Sequence, residues 1–296
     1  MGVGRVTESN ITSGVMSNLQ RSLARGQKIQ QQLSSGKLIS RPSDSPTGTV
    51  ASMQLRGESR ATQQYSRNAD DGLGWLGTLD STLTSTSTLI NEARDLAVQG
   101  LSSGSSTPGG NAAMADQVDQ IKAGIIAYAN TQYLNRPVFG GTTTGATAYD
   151  DNGTYLGDAG QTMRTVGANA KVRVDTTGPE AFGTGTTQLF QVLTDISANL
   201  RSGDSAALGD SLKNLDTASD LMKNAHSSIG ARYNRVTQMK QSAQDRLLSV
   251  TEQLSDVEDI DLPKTIMDMQ LQQTSYQAAL AASAKVIQPS LIDFLR

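Results

Sequence analysis

Mostly apolar residues in the last third of the chain recur at alternating spacings of three and four. The spacing continues without interruption from Leu212 to Val257, with Ser219, His226 and Lys240 as its polar members. This heptad pattern is typical of helices that pack side by side as coiled coils. It predicts one helix of roughly 45 residues, about 68 Å long at 1.5 Å per residue, beginning near Asp204 or Asp210. An isolated helix with such a narrow apolar stripe is only marginally stable in water, and we therefore expect this helix to pack against others.

The same spacing occurs near both ends of the chain, and we therefore predict a seam helix at each end. The N-terminal seam comprises Met16, Leu19, Leu23, Gly26, Gln30 and Leu33. The C-terminal seam follows the break "SDVEDIDLPK" and comprises Leu262, Ile266, Met269, Gln273, Tyr276, Leu280, Ser283, Ile287, Ser290 and Phe294.

Between these ends the pattern predicts further helices and one change of structure. Leu76, Leu83 and Ile90 recur every seven residues, although the Ser/Thr run "STLTSTSTL" lowers the helix propensity there. From about Pro137 to Gly185, Gly and Thr are abundant and "AKVRVDT" alternates apolar and polar residues, which predicts a small β-rich insertion. The helical spacing resumes at Leu189.

The predicted fold is mainly α with a small β insertion. We expect a long antiparallel helical rod, similar to a coiled-coil bundle, with an outer β-rich domain and terminal helices that pair on assembly. The expected domains are an N-terminal assembly helix (1–40), the first half of the rod (41–136), the outer β domain (137–185), the second half of the rod (186–258) and a C-terminal assembly helix (259–296).

Composition and charge restrict the classes of function. Aromatic residues make up only 4% of the chain, which favours helix–helix packing over an aromatic sandwich. The net charge is −3 and no block of Lys or Arg occurs, so nucleic acid and anionic membranes are poor candidate partners. Cysteine is absent, which excludes disulfides. No apolar run approaches the ~20 residues that span a bilayer, and the first residues lack the apolar core of a general secretory signal.

Candidate chemistry is sparse, and we predict that the protein is not an enzyme. The single histidine, His226, lies on the long seam and is either a pH switch or, the favoured interpretation, a tolerated polar seam residue. The segment "DVEDID", Asp256 to Asp261, is either a carboxylate cluster for a divalent cation or, as favoured, an acidic helix break, because it lacks the spacing of a calcium loop. We expect no catalytic, metal-binding or cofactor-binding residues.

Six separate motifs are distinctive: "LSSGKLISRPSDSPTG", "QYSRNADDGLGWL", "ARDLAVQG", "AHSSIGARYNRV", "LSDVEDIDLPK" and "YQAALAASAKVIQPSLIDFL". Both in sequence and in order they resemble the flagellin-like proteins of bacterial flagella. Within the family, "SRPSD" and the ending "SLIDFLR" are more similar to the proteins of the hook–filament junction than to filament flagellin. Ser45 departs from the family, in which a second Asp is common at this position.

The resemblance implies a structural protein that forms a ring between another junction protein and flagellin. It implies export by the flagellar type III apparatus with a cytosolic chaperone, and an extracellular location in the flagellum. The expected partners are flagellin, the other hook-associated junction protein, the export chaperone and further copies of this chain. The alternatives are a short flagellin that forms the filament, or a secreted helical scaffold that displays a β binding domain.

The residues expected at assembly interfaces come from both terminal helices and from the Ser/Gly/Pro-rich connector after the first. Arg41 and Asp44, inside the connector, are expected to pair with each other or with a neighbouring subunit. The full set is Leu19, Leu23, Leu33, Arg41, Asp44, Leu280, Ile287, Leu291, Phe294 and Leu295.

Overall fold

The computed structural model describes residues 8–102 and 108–287, with side chains described for residues 13–102 and 109–284. Leu291, Phe294 and Leu295, three of the predicted interface residues, lie outside the described residues, as does the side chain of Ile287.

Seven helices and four short strands make up the described chain. In order they are α1 (Glu8–Ser35), α2 (Pro46–Leu101), α3 (Pro108–Ala129), β1 (Gln132–Tyr133), β2 (Arg136–Pro137), β3 (Met163–Gly167), β4 (Ala170–Arg173), α4 (Gly178–Phe182), α5 (Leu189–Ser202), α6 (Ser205–Glu258) and α7 (Leu262–Ile287). The mainly helical fold with a small β part is therefore confirmed. Among the described helices, none has the length and apolar content that crossing a membrane requires.

The ends of the longest C-terminal helix follow from polar side chains. The carboxylate of Asp204 accepts hydrogen bonds from the backbone N–H groups of Ala206 and Ala207, both at 3.0 Å, and so caps the first turn of α6. Helix α6 is 54 residues long, longer than the heptad run alone predicts, and ends at Glu258. Asp261 then accepts from the N–H of Lys264 at 3.1 Å and caps α7, so the acidic segment is a helix break.

By its internal contacts the chain divides into two compact units, residues 61–246 and residues 1–60 with 247–296. The first, the central unit, contains all of the main apolar core. Its core is a seam of buried side chains from α2, α3, α5 and α6. Among the most buried are Leu76, Leu79, Leu83, Ile90, Val118, Ile125, Leu193, Ile196, Leu215, Met222, Ile229 and Val236.

The β part of the central unit consists of two separate antiparallel hairpins. Strands β1 and β2 pair through Tyr133 and Arg136, and the two residues between them, Leu134 and Asn135, both have positive φ (49° and 60°) as in a type I′ turn. Strands β3 and β4 pair from Met163↔Arg173 to Gly167↔Ala170, with an irregularity between Thr165 and Gly167. The strand predicted from "AKVRVDT" is thus present.

The motif "QYSRNADDGLGWL" lies on α2 and holds the β hairpins against this helix. Asp71 pairs with Arg164 of β3, and the Asn68 amide donates to the Thr165 carbonyl at 2.8 Å. Gly74 is needed for packing, because a Cβ there would lie 2.3 Å from the Tyr133 hydroxyl oxygen. Trp75 next to it is 2% exposed and packs edge-on against the Tyr133 ring, with centroids 5.7 Å apart.

His226 lies half-buried on α6, and its Nε2 atom is 2.7 Å from Oδ1 of Asp80 on α2. The same two helices are joined by Lys240 with Asp70 and by Arg94 with Asp216. His226 therefore belongs to a series of side-chain pairs between α2 and α6, which agrees with its interpretation as a polar seam residue.

Candidate functional site

The second unit, residues 1–60 and 247–296, is unusual in how little apolar surface it buries. Among its described residues, Val250 is the one large apolar side chain that is buried. Eighteen large apolar side chains are exposed in the described part of the chain, and eleven of them belong to this unit although it is the smaller one. In the isolated chain these side chains expose an apolar surface to water, and large exposed apolar surfaces mark interaction sites.

Helices α1 and α7 pair antiparallel in this unit through small and polar side chains. The Gln272 amide of α7 donates to the carbonyl and the hydroxyl of Ser22, at 2.7 and 2.8 Å. Gly26 faces the same side chain, and a Cβ there would make an ordinary van der Waals contact of 3.8 Å with Cγ of Gln272. The half-buried or buried positions are Val15, Leu19, Ser22, Gly26, Ile29, Gln32 and Leu33 on α1, and Thr265, Met269, Gln272, Tyr276, Ala279 and Ser283 on α7.

The seams predicted from the sequence are therefore partly wrong. Leu19, Leu33, Met269 and Tyr276 do lie in the seam, but several predicted members lie one position away from it and are exposed. Two neighbouring stripes on one helix can both show spacings of three and four. The spacing alone does not distinguish them, and the prediction from sequence therefore favours the stripe that contains the larger apolar residues. The exposed members are Met16, Leu23, Gln30, Leu262, Ile266, Gln273 and Leu280.

All of these exposed residues except Leu262 belong to one surface, here called the open face and defined by Met16, Leu23, Gln30, Ile266, Gln273 and Leu280. Leu23 and Gln30 of α1 and Gln273 of α7 line the same groove between the helices. Residues seven apart share a helix face, which places Met16 beside this side of α1 and both Ile266 and Leu280 beside this side of α7. The four apolar members are 43–55% exposed.

The register of the pair places Leu280 away from Leu23. Since Ser22 is level with Gln272 in an antiparallel pair, Leu280 is level with about Gly14. Leu280 is 44% exposed and Leu23 49% exposed, so in this chain neither covers the other. Both remain available to another protein.

The connector between α1 and α2 begins at a left-handed glycine. Helix α1 ends at Ser35, and Gly36 (φ 69°) donates to the Gln32 carbonyl at 2.8 Å, a common helix ending that favours Gly. The next residues pair with the break between α6 and α7. The N–H of Leu38 donates to the Glu258 carbonyl at 2.6 Å, and the N–H of Ile260 donates to the Gly36 carbonyl at 3.2 Å. The two breaks in the helical pattern thus hold each other.

Glu258 is the buried charge at the centre of this contact. It is 2% exposed, and its carboxylate lies 2.7 Å from Nη2 of Arg56 and 3.5 Å from Nζ of Lys37. Burial on its own raises the pKa of Glu258, but the hydrogen bonds from Arg56 and Ser52 and the charges of Arg56 and Lys37 outweigh it, so the pKa is lowered. Lys37 also lies 2.5 Å from Asp259, and this hydrogen bond lowers the pKa of Asp259 as well.

Asp44 does not form the predicted ion pair with Arg41. Its Oδ1 atom lies 3.0 Å from Nζ of Lys28 on α1, and its Oδ2 atom accepts from the backbone N–H groups of Ser40 and Arg41 at 3.2 and 3.0 Å. Lys28 and these two N–H groups lower the pKa of Asp44 to about 2. The Arg41 side chain is exposed, and no ion pair to it occurs in the described chain. Asp44 is therefore a local organiser of the connector, while Arg41 is free to contact a neighbour.

We expect the connector to lose order in acid. A lowered folded-state pKa means that the Asp44 carboxylate stabilises the fold above its ordinary pKa of 3.8, and that this contribution is lost as the pH falls from there through about 2. Titration of the Asp44 carboxyl carbon by NMR should give a midpoint near 2. In Lys28→Gln the midpoint should rise towards 3.8. A wild-type midpoint already at the ordinary value would contradict the observed pairing.

Ser45, where the family often has Asp, is the N-cap of α2. Its hydroxyl oxygen accepts from the N–H of Gly48 at 3.1 Å, and Pro46 occupies the first helical position. Gly48 is also required for space, because a Cβ there would lie 2.5 Å from Cδ1 of Ile39. Ser and Asp are equally good N-caps, so the departure from the family retains the local function.

Ser45→Ala should therefore destabilise the first turn of α2 by about 1 kcal/mol, whereas Ser45→Asp should be neutral or slightly stabilising. Amide hydrogen exchange of the first α2 turn measures this directly, since local opening reports on the cap. Equal exchange in Ser45→Ala and the wild type would show that the hydroxyl contributes nothing.

Five residues that hold this unit together are not singled out by the sequence pattern. Lys37 and Arg56 pair with Glu258 of the second break, Lys28 pairs with Asp44 of the connector, and Gln272 joins α7 to α1. Gln272 carries no signal because an amide in a seam has no distinctive pattern. The ion pairs did leave a signal in the sequence, because the first break contains cations and the second, "DVEDID", contains carboxylates. Opposite charges in two breaks that interrupt similar seams could have indicated that the breaks meet.

This arrangement defines a class of protein. Long seam helices contain the folded core, and a separate pair of terminal helices leaves its larger apolar side chains uncovered. The side chains of the site position helices and make no constellation suited to proton transfer or nucleophilic attack. The geometry is that of a helical structural subunit.

The comparisons with known proteins give the family. The bacterial flagellin N-terminal helical region matches residues 6–144, and the bacterial flagellin C-terminal helical region matches residues 212–295. The chain belongs to the flagellin family. The resemblance inferred from its motifs is confirmed.

Individual relatives are similar to this chain over nearly all of its length. Flagellar hook-associated protein 3 of Escherichia coli K12 is 25% identical over 292 residues, 90% of this chain and 92% of the relative. Flagellin of Bacillus subtilis 168 is 24% identical over 301 residues, 96% of each. The crystal structure of flagellar hook-associated protein 3 from Legionella pneumophila shares the fold, with a TM-score of 0.62 and 13% identity over 69% of this chain and 98% of that one.

Proposed function

We propose that this chain is a structural subunit of the junction between the flagellar hook and the flagellin filament. The family and the similarity to hook-associated protein 3 support a flagellar structural role. The observation that carries the proposal is the open face. A terminal helix pair whose seam contains Ser22, Gly26 and Gln272, with Leu23 and Ile266 outside it, is suited to association with other subunits.

Covering the open face accounts for assembly in energetic terms. Fully burying an apolar side chain contributes roughly 1.5–3 kcal/mol. Since its four apolar members are each about half exposed, covering them would stabilise an assembly by about 3–6 kcal/mol per copy. A ring repeats this contribution at every copy. We therefore propose residues 1–40 and 259–296 as the assembly helices.

The proposed partners are further copies of this chain, the other hook-associated junction protein and flagellin. The proposed route is type III export with a cytosolic chaperone, which places the protein outside the cell. The exposed Arg41 is proposed to contact a neighbouring subunit, while Asp44 remains paired with Lys28 in its own chain. Leu23 and Leu280 are proposed to lie in contacts between subunits.

Filament flagellin is the rival function, because Bacillus subtilis flagellin is also similar over 96% of this chain. The two functions differ in copy number and position. Immunogold labelling of isolated flagella with an antibody to the central unit should give one cluster at the hook end if the chain is a junction subunit. Label along the whole filament would show that it is a flagellin.

Deletion of the coding sequence tests the function a second way. Cells that lack a junction subunit should retain hooks, lack filaments and release flagellin into the medium. Normal filaments on such cells would contradict the proposal. Restoration by the wild-type chain is the control.

A further inference from the structure

A run of hydroxyl side chains interrupts the apolar composition of α2. Eight of the eleven residues from Thr78 to Thr88 are Ser or Thr, and we call this segment the hydroxyl segment. It lies in the middle of a helix of 56 residues. Ser and Thr rank below Ala and Leu as helix formers because their hydroxyls compete for backbone groups.

The hydroxyls of this segment are bonded back onto their own helix. Seven of the eight donate to a carbonyl three or four residues earlier, at 2.7–3.3 Å; these donors are Thr78, Ser81, Thr82, Thr84, Ser85, Thr86 and Thr88. Each such carbonyl serves a second donor besides the N–H of the helix. Bonds of this kind slightly destabilise helices and often bend them.

Two further features weaken the helix at the same place. Thr82 and Thr86 are 4% and 0% exposed, so the core there contains hydroxyl groups, whereas the buried neighbours Leu76, Leu79, Leu83 and Ile90 on α2 are apolar. Gly77 directly precedes the segment, and a Cβ there would meet nothing within 4 Å. Unlike Gly74, Gly77 is not required by packing, and a glycine inside a helix costs stability.

The segment nevertheless stays attached to its surroundings. Leu79 and Leu83 are fully buried, and Asp80 contacts His226 of α6. These anchors hold the helix against its neighbours while the backbone between them is weakened. Bending within an intact seam is therefore favoured over detachment of the helix.

We propose that the segment from Gly77 to Thr88 is a compliant section of α2, where the helix bends or opens locally at a lower free-energy cost than on either side. The section lets α2 change its curvature while Leu79 and Leu83 stay buried. This inference is independent of the proposed junction function, because it concerns a segment of α2 that lies inside the central unit.

Amide hydrogen exchange of the full-length protein tests the proposal. The amides of residues 78–88 should exchange at least tenfold faster than those of residues 62–73 and 91–98 in the same helix. A stiffened variant should slow exchange in 78–88 at least tenfold and raise the unfolding temperature. Its substitutions are Gly77→Ala, Ser81→Ala, Thr84→Ala, Ser85→Ala and Thr88→Ala.

A matched control replaces one glycine and four hydroxyl residues on α6. Gly230 also has free space at its Cβ, and the four other positions are exposed. The control should leave exchange in 78–88 unchanged. Its substitutions are Gly230→Ala, Ser227→Ala, Ser228→Ala, Thr237→Ala and Ser242→Ala.

Two outcomes would overturn the proposal. One is wild-type exchange in 78–88 that is as slow as in the flanking residues. The other is fast exchange that persists unchanged in the stiffened variant, because the hydroxyl groups and Gly77 would then not be its cause. Slower exchange in 78–88 of the α6 control would equally show that the effect is global.

Discussion

Cells whose only copy of this protein carries Leu23→Asp and Ile266→Asp are expected to lack filaments although the protein folds normally. Both side chains are about half exposed on the open face, so the folded monomer accepts a carboxylate at either position with little cost. In an assembly the same carboxylates would be buried without a partner, which costs several kcal/mol each. Electron microscopy of the cells tests for the loss of filaments, and thermal unfolding of the purified variant tests whether the protein folds normally.

A charge-matched variant separates the open face from surface charge in general. Ala24 and Ser275 are exposed residues of the same two helices outside the open face, and Ala24 lies in a depression with Arg21 and Arg25. Ala24→Asp with Ser275→Asp should leave filaments in place. If cells with the Leu23/Ile266 variant still form filaments, the open face has no role in assembly. If both variants lose filaments, the loss is caused by added surface charge and not by the position of the charge on the open face.

The spacing of apolar residues predicted the helices because it reflects which side chains lie on the one helix face that can be buried. The long seam of α6, its start at Asp204 and its end in the acidic segment all follow from spacing and capping chemistry, which are local properties. The strand at Ala170–Arg173 was equally readable from alternation. Local signals of this kind do not need knowledge of the partner helix.

The same reasoning could not decide which stripe of α1 and α7 faces inward. Leu23 and Ser22 are adjacent, and either can belong to a pattern of threes and fours. The preference for burying leucine is correct for a chain that folds alone, but here the small residues Ser22 and Gly26 meet Gln272 and leave Leu23 outside. The prediction from sequence therefore fails for a helix whose inward face within the chain differs from the face that is suited to association with other subunits.

Composition also understated the role of aromatic residues. The aromatic content of 4% favours helix–helix packing over an aromatic sandwich. The structure concentrates several at one place: Phe182 lies 4.9 Å from Phe139 and 5.5 Å from Phe190, and Tyr149 packs edge-on against Phe190 at 4.8 Å between ring centroids. A percentage averaged over the chain cannot show that the residues gather around α4.

The core of the central unit gives the largest effect on stability that we expect. Leu79 is fully buried on α2 within the apolar cluster of the central unit, and Leu79→Asp would place a carboxylate there. Burying an unpaired charge is among the few mechanisms that cost more than 4–5 kcal/mol, about as much as the total stability of many domains. We expect the variant to be insoluble or to unfold below room temperature.

Leu221→Asp is the matched control for this expectation. Leu221 lies on α6 of the same unit but is 38% exposed, so its carboxylate can remain hydrated. The cost should then be at most about 1 kcal/mol, typical of surface changes. The soluble fraction of each variant in the cell lysate, and the circular dichroism and urea unfolding of whatever is soluble, measure the difference. Because Leu79 is also an anchor of the hydroxyl segment, a stable Leu79→Asp protein would contradict two conclusions, the seam core of the central unit and the attachment of the compliant section of α2.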